Sequence, residues 1–236
     1  MNANHRDNLR RIKKVSEALS DLNNKVVFVG GATISMYADR ENYPTRITED
    51  VDAIVEVLGI GAHADFEHDL RTRGFVDEIY SGVRCRYLLR NGDERIVVDI
   101  MPTKDIAMGF ENRWYEEGYS QAIAYSIDDQ TIVKILTPPH FLATKLEAFK
   151  SRGHQDPRTS PDFEDIVYVL ENRRAIWDEI TSANEGLKKY LRHEFSLIIN
   201  SPDISEWIDS HVSYPSPPPT YLIIDALKEF VSTSNS

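Results

Sequence analysis

Four apolar residues followed by two glycines, Val26-Val27-Phe28-Val29-Gly30-Gly31, constrain this chain more than any other stretch. Such a run reads as a buried strand that breaks sharply, because glycine takes the positive φ a tight turn needs. Backbone N–H groups freed at the start of the following helix suit an anion such as phosphate. Downstream, Asp50 and Asp52 stand two apart in the strand pattern Asp50-Val51-Asp52-Ala53-Ile54-Val55. Their side chains leave one face of the strand, within reach of a single cation. Paired carboxylates of this kind are how a magnesium site is built.

Either feature alone is ambiguous, since glycine turns also serve packing and a surface strand can carry alternating acids. Asp99 changes the balance. It is a lone carboxylate within Ile96-Val97-Val98-Asp99-Ile100, with no cationic residue beside it in the sequence. Burying an unpaired carboxylate costs on the order of several kcal/mol, so such a residue needs a partner. A metal shared with Asp50 and Asp52 is the expected one.

The remaining elements follow from periodicity. Residues 5 to 22 repeat apolar positions at helical steps (Leu9, Ile12, Val15, Leu19, Leu22), and their other face carries Arg6, Arg10, Arg11, Lys13 and Lys14, read as a solvated face or a phosphate patch. Thr33 to Ala38 is expected as a short helix, and Asp39 to Thr45, with Pro44, as a loop. Gly59 and Gly61 break the chain before a helix over 64–73 that Gly74 caps. Strands are expected over 83–90 and 95–101, joined through Asn91-Gly92-Asp93, and over 122–127 and 131–136 as a second hairpin.

Beyond Pro138-Pro139 everything reads as helix: residues 140–150, a helix opened by Ser160 as N-cap and Pro161 running to about residue 173, more helix over 177–200, and a last helix over 221–231 after the stiff spacer Pro215-Ser216-Pro217-Pro218-Pro219. In the first of these, Lys145 falls inside the apolar stripe of Phe141, Leu142, Leu146 and Phe149. A lysine there either snorkels to water or meets an anion. Asp162 and Asp165, three apart on the next helix, are placed to meet Lys145 or Arg152.

Composition narrows the function classes. The 236 residues suffice for one large domain or two small ones, and the net charge of −11 argues against broad electrostatic capture of nucleic acid. The single cysteine, Cys85, excludes an internal disulfide and a thiolate metal cluster. No apolar run approaches membrane-spanning length and no leader pattern opens the chain, so a cytoplasmic protein with no membrane partner is expected.

Gly30-Gly31, Asp50-x-Asp52 and the strand-borne Asp99 together resemble the DNA polymerase β-type nucleotidyltransferase pattern. More narrowly, Val29-Gly30-Gly31-Ala32, Arg46-x-Thr48-x-Asp50-x-Asp52, Lys145-Leu146-x-Ala148-x-x-x-Ser151-Arg152 and Asp162-x-x-Asp165-Ile166 are similar to the abortive-infection (AbiEii-type) nucleotidyltransferase toxins. The resemblance implies an α+β fold: a mixed β-sheet nucleotidyltransferase core with flanking helices over 1–137, then a helical C-terminal region over 138–236 completing the active-site cleft. It implies transfer of a nucleoside monophosphate from an NTP to a hydroxyl acceptor, with release of pyrophosphate.

On that resemblance Asp50, Asp52 and Asp99 hold Mg2+ or Mn2+, with Asp99 serving a second metal or deprotonating the acceptor. Gly30, Gly31 and Thr33 receive phosphate oxygens, and Arg46, Thr48, Arg152 and Asp165 join them in binding the nucleotide. Lys145 neutralises the triphosphate, oriented by Asp162 or Asp165, so its replacement by Ala or Met is expected to leave the chain folded and inactive. The implied acceptor is RNA, such as a tRNA end, with an antitoxin protein as partner. The alternatives are an enzyme modifying a small molecule or a protein side chain, and a catalytically silent nucleotide-binding module.

Overall fold

The computed structural model describes residues 3–39, 45–56, 60–91, 94–104, 112–152, 156–212 and 219–233. The chain divides into two compact units, residues 1–36 with 45–137, and residues 37–44 with 138–236.

The first unit opens with α1 (Ala3–Leu19), which buries Leu9, Ile12, Val15 and Leu19 at helical spacing. A 3-10 segment, Ser20–Lys25, leads into β1 (Val26–Val29), buried on both faces as its unbroken apolar run requires. Gly30 then takes φ +71°, and the short helix expected over 33–38 is a 3-10 helix, Gly31–Tyr37. Next come β2 (Asp50–Val55), α2 (Ile60–Thr72), β3 (Phe75–Asp77), β4 (Arg86–Asn91), β5 (Glu94–Pro102), α3 (Tyr115–Ser120), β6 (Ile123–Ser126) and β7 (Ile132–Ile135). Gly74, at φ +88°, follows α2 as its expected cap.

Among the described residues the strands form one sheet in the order β3-β4-β5-β2-β1-β7-β6. It is mixed: β1 runs antiparallel to β2 and parallel to β7, β2 is parallel to β5, and β3-β4, β4-β5 and β6-β7 are antiparallel. The fold is therefore α+β, a mixed sheet flanked by helices.

Several elements depart from the sequence reading. Strand β4 begins at Arg86, three residues late, and β3 and α3 were not anticipated. On the basic face of α1, Arg10 and Lys14 pair with Glu94, and Lys13 with Asp128 at 2.6 Å. The expected turn residues Gly92 and Asp93, the loop residue Pro44, the break at Gly59 and the spacer prolines Pro215, Pro217 and Pro218 lie outside the described residues.

The second unit is helical: α4 (Pro138–Ser151), α5 (Pro161–Asn172), α6 (Ile176–Ser182), α7 (Glu185–Ile199), α8 (Ile204–Asp209) and α9 (Thr220–Ser232). Pro138 and Pro139 occupy the first turn of α4, where no intrahelical N–H is needed. The Ser160 hydroxyl accepts from the Phe163 N–H and Pro161 holds the first helical position. The helical stretch expected over 177–200 is divided into α6 and α7, because the Asn184 carboxamide accepts from the Leu187 N–H and starts α7 afresh. Phe141, Leu142, Leu146, Phe163, Ile166, Leu191, Phe195 and Leu227 supply core, with the Phe195 and Phe230 rings edge to face at 6.2 Å. No helix among the described residues is long and apolar enough to cross a membrane.

Candidate active site

In the first unit, strand pairing alone brings the acids together. Parallel β2 and β5 place Asp52 directly beside Asp99, and Asp50 beside Val97. Neighbouring residues in register share a face of the sheet, so all three carboxylates project to one side. One oxygen from each lies within 4.8 Å of the others. Asp99 is buried, whereas Asp50 and Asp52 are partly exposed. The site thus has a dry floor and a wetter mouth.

The same register explains the glycines. Val29 of β1 pairs with Asp52, which carries the Asp52 side chain over the turn that follows. A Cβ on Gly30 would stand 2.8 Å from the Asp52 carboxylate carbon and closer still to an oxygen; one on Gly31 would stand 2.7 Å from the Arg46 guanidinium carbon. Gly30 is also in the left-handed region, so glycine is required there twice over. Arg46 and Asp52 therefore flank the Gly30-Gly31 turn from the two sides that a side chain would fill.

The segment carrying Arg46 is fastened by α1. Asn4 donates to the Thr45 carbonyl at 2.7 Å, the Thr48 hydroxyl donates to Asn8 at 3.0 Å, and Arg11 donates to the Thr48 carbonyl. The first helix, to which no specific role was assigned from sequence, is the clamp that holds the approach to Asp50. Thr33 and Thr48 are buried, and the Thr33 hydroxyl donates to the Gly30 carbonyl at 2.9 Å. Both hydroxyls thus hold the turn and the strand approach.

One residue corrects the reading of Asp99 as a carboxylate without a cation nearby. Arg86, opposite Asp99 in the antiparallel β4-β5 pair, forms a fork on it, Nε to Oδ1 at 2.8 Å and Nη2 to Oδ2 at 2.7 Å, and reaches Asp50 Oδ2 at 3.4 Å. The signal for it was in the sequence: a two-residue connection at Gly92-Asp93 pairs position 91 with 94, and counting back places 86 opposite 99. The hydrogen bond to Asp99 raises the proton affinity of the guanidinium further above its ordinary value. Burial, then the charge of Asp99, pushes the neighbouring Cys85 thiol up to about 11, so at neutral pH it is no thiolate ligand.

Three carboxylates with no sulfur or imidazole among them are a hard-oxygen donor set of the kind that suits Mg2+ or Mn2+. The residues fit a divalent ion.

The second unit holds the other predicted residues. Lys145 on α4 is buried and does not snorkel; its Nζ lies 3.2 Å from Asp162 Oδ1 and 2.7 Å from Asp165 Oδ2, both carboxylates being 1% exposed. Arg152 reaches the other Asp162 oxygen at 2.8 Å. Position 145 falls on the inward face because Phe141, Leu142 and Leu146 around it are buried. Asp162 and Asp165 lie one turn apart at the start of α5, so both meet the same ammonium.

A crystal structure of an antigenic nucleotidyltransferase-like protein from Paracoccidioides brasiliensis shares the fold: TM-score 0.52, 18% identity, 89% of this chain and 96% of that one covered. A search of the curated proteins finds no match. The sequence model of the family described as "Nucleotidyl transferase AbiEii toxin, Type IV TA system" matches residues 15–231, a span that takes in the glycine turn, the carboxylate centre and the buried lysine cluster alike. The chain belongs to the AbiEii nucleotidyl transferase toxin family.

Proposed function

We propose that this protein transfers a nucleoside monophosphate from an NTP to a hydroxyl on RNA, a tRNA end being the leading acceptor, as the toxin of a toxin–antitoxin pair. The observation that carries the reading is the convergence of Asp50, Asp52 and Asp99 beside the Gly30-Gly31 turn. Asp50 and Asp52 would hold a divalent ion, with Asp99 completing the donor set or taking the proton of the acceptor hydroxyl. Such an ion supplies Lewis-acid stabilisation of the charge that develops on phosphate oxygens.

The chain's own groups do the rest. Gly30 and Gly31, with no side chain of their own, would offer backbone N–H groups to phosphate oxygens. Arg46, over Gly31, adds a positive charge to that approach, and Thr33 and Thr48 fix its walls. Lys145 is assigned to neutralise the triphosphate, with Asp162 and Asp165 holding its ammonium and Arg152 supporting Asp162.

An acceptor that is a small molecule or protein side chain is the second reading, favoured by the net charge of −11. Incubation with each labelled NTP, Mg2+ and total RNA separates the two. Label carried on RNA supports the first reading; label only on protein or small molecules, with RNA unlabelled, replaces it by the second.

A further inference from the structure

Two arginines stand opposite each other near the tip of the β4-β5 hairpin, where Arg90 pairs directly with Arg95. Both are exposed, and among the described residues neither has a hydrogen bond or an ion pair. Like charges directly opposite on paired strands repel and destabilise the pairing. Glu94, the neighbouring acid, gives no relief: it leaves the other face of β5 and is held by Arg10 and Lys14. An anion from outside the chain, lying across both guanidinium groups, would remove the repulsion. Register says where such an anion lies. Every second residue of a strand shares a face, so Arg90 stands on the face of Arg86, and Arg95 on the face of Asp99, Asp50 and Asp52. One rung, partly exposed Leu88 and Val97, separates the arginines from the rung of Arg86 and Asp99. Along β5 the span from position 95 to 99 is about 13 Å. A pair at that remove suits a chain of phosphates leading to the carboxylates, not the group that reacts there.

We propose that Arg90 and Arg95 together grip the phosphate backbone of the RNA acceptor just behind its reacting end. The inference rests on the reading of the chain as a transferase acting on RNA, and adds to it the surface that holds the acceptor. Guanidinium forks match phosphate oxygens in geometry and keep their charge at any physiological pH. With a net charge of −11 the chain attracts no polyanion at large, so an RNA must be held by a local group of cations such as this one. An acidic protein would meet the same two charges, but their place on the face of the carboxylates favours the acceptor.

The test uses the full chain and total cellular RNA. Filter retention of end-labelled RNA gives its affinity at salt concentrations from about 50 to 200 mM, and transfer from labelled NTP with Mg2+ gives kcat and the KM for RNA. Wild type is compared with Arg90→Gln plus Arg95→Gln, with Arg95→Glu, and with a charge-matched control, Lys189→Gln plus Lys228→Gln, two exposed lysines of the second unit. The double arginine variant should bind RNA about tenfold more weakly or worse at low salt, with KM for RNA raised and both kcat and NTP affinity little changed. Its plot of log affinity against log salt should be shallower by about 1.4, the share of two single-strand phosphates. Arg95→Glu should bind RNA more weakly still, yet unfold at or above the wild-type midpoint, because it turns a like-charged pair into an opposite one. The control should match wild type. Wild type and the double variant labelling RNA with the same KM and the same salt slope would overturn the proposal while leaving RNA as the acceptor, and would leave the pair to an acidic protein. An equal loss in the control would also overturn it, by showing that only total charge matters. A wild type that neither binds nor labels RNA would defeat the underlying reading, and the proposal with it.

Discussion

Lys145 lies between two carboxylates that are each 1% exposed, and this changes what its removal does. From sequence, Lys145→Ala is expected to fold normally, because a buried charge is a poor source of stability. The pairing reverses that expectation: taking away the ammonium leaves Asp162 and Asp165 buried beside each other, and breaking a buried pair costs about 3–5 kcal/mol. Arg152 still serves Asp162, which puts the expected loss at the lower end. Urea unfolding of Lys145→Met should show a midpoint well below wild type, and adding Asp165→Asn should recover much of it; Lys145→Met with wild-type stability would show that the pair contributes nothing. The two glycines should likewise differ. Gly30→Ala meets the Asp52 carboxylate in a left-handed backbone and should lose about 1–3 kcal/mol, as strained positions do. Gly31→Ala meets the far end of Arg46, which can swing, and the buried Thr48 methyl at 2.9 Å, but its backbone is not left-handed, so it should lose less stability than Gly30→Ala while nucleotide binding weakens. Equal unfolding midpoints for the two variants would contradict this.

Helix α1 is fastened through ionisable partners, and its docking should therefore depend on pH. Hydrogen bonds from Lys14 and Arg10 hold the Glu94 carboxyl below its usual value, and the bond from Lys13 holds Asp128 at about 2. A depressed carboxyl contributes stability that is complete above its unfolded value, about 4.3 for Glu and 3.9 for Asp, and lost as pH falls through the folded value. Amide exchange in α1 should thus accelerate as pH falls from about 4 towards 2, after correction for the intrinsic rate, and Glu94→Gln with Asp128→Asn should flatten that dependence. Unchanged protection of α1 across this range would remove the ion pairs from the account. How far the elements were legible follows from their burial. Strands β1, β2 and β5 are central and largely buried on both faces, so each wrote an apolar run into the sequence, and in β2 and β5 an acid stood out of it. Strand β3 is three residues long at the sheet edge with Val76 half exposed, and α3 has six residues around a glycine, so neither carries a readable period. Arg86 was legible only through register: its hairpin was expected, but its rungs were not counted back to position 99. The α1 clamp was not legible at all, because the bond that Asn8 accepts from the Thr48 hydroxyl and the one that Arg11 donates to the Thr48 carbonyl depend on tertiary placement and leave no periodic trace.

At the scale of the whole molecule, the carboxylate centre belongs to the first unit and the lysine cluster to the second, and the family match spans both. The strong negative charge sets the terms on which an RNA acceptor is held. Each phosphate contact displaces a counterion, so transfer to RNA gripped by a few lysines and arginines should fall steeply between about 50 and 200 mM salt. Transfer to a small molecule should change far less, and RNA labelling that is flat across this range would count against RNA as acceptor. If Asp50, Asp52 and Asp99 form the reacting centre of a nucleotidyltransferase, pyrophosphate release must depend on them. Wild type, Asp52→Asn and a surface control such as Lys189→Gln are compared with all four NTPs, Mg2+ and total cellular acceptor. Release is expected from wild type and the control, with a fall by a factor of at least about 10² in Asp52→Asn, on the scale that removing one electrostatic group from a catalytic centre produces. Release by Asp52→Asn at the wild-type rate would contradict it.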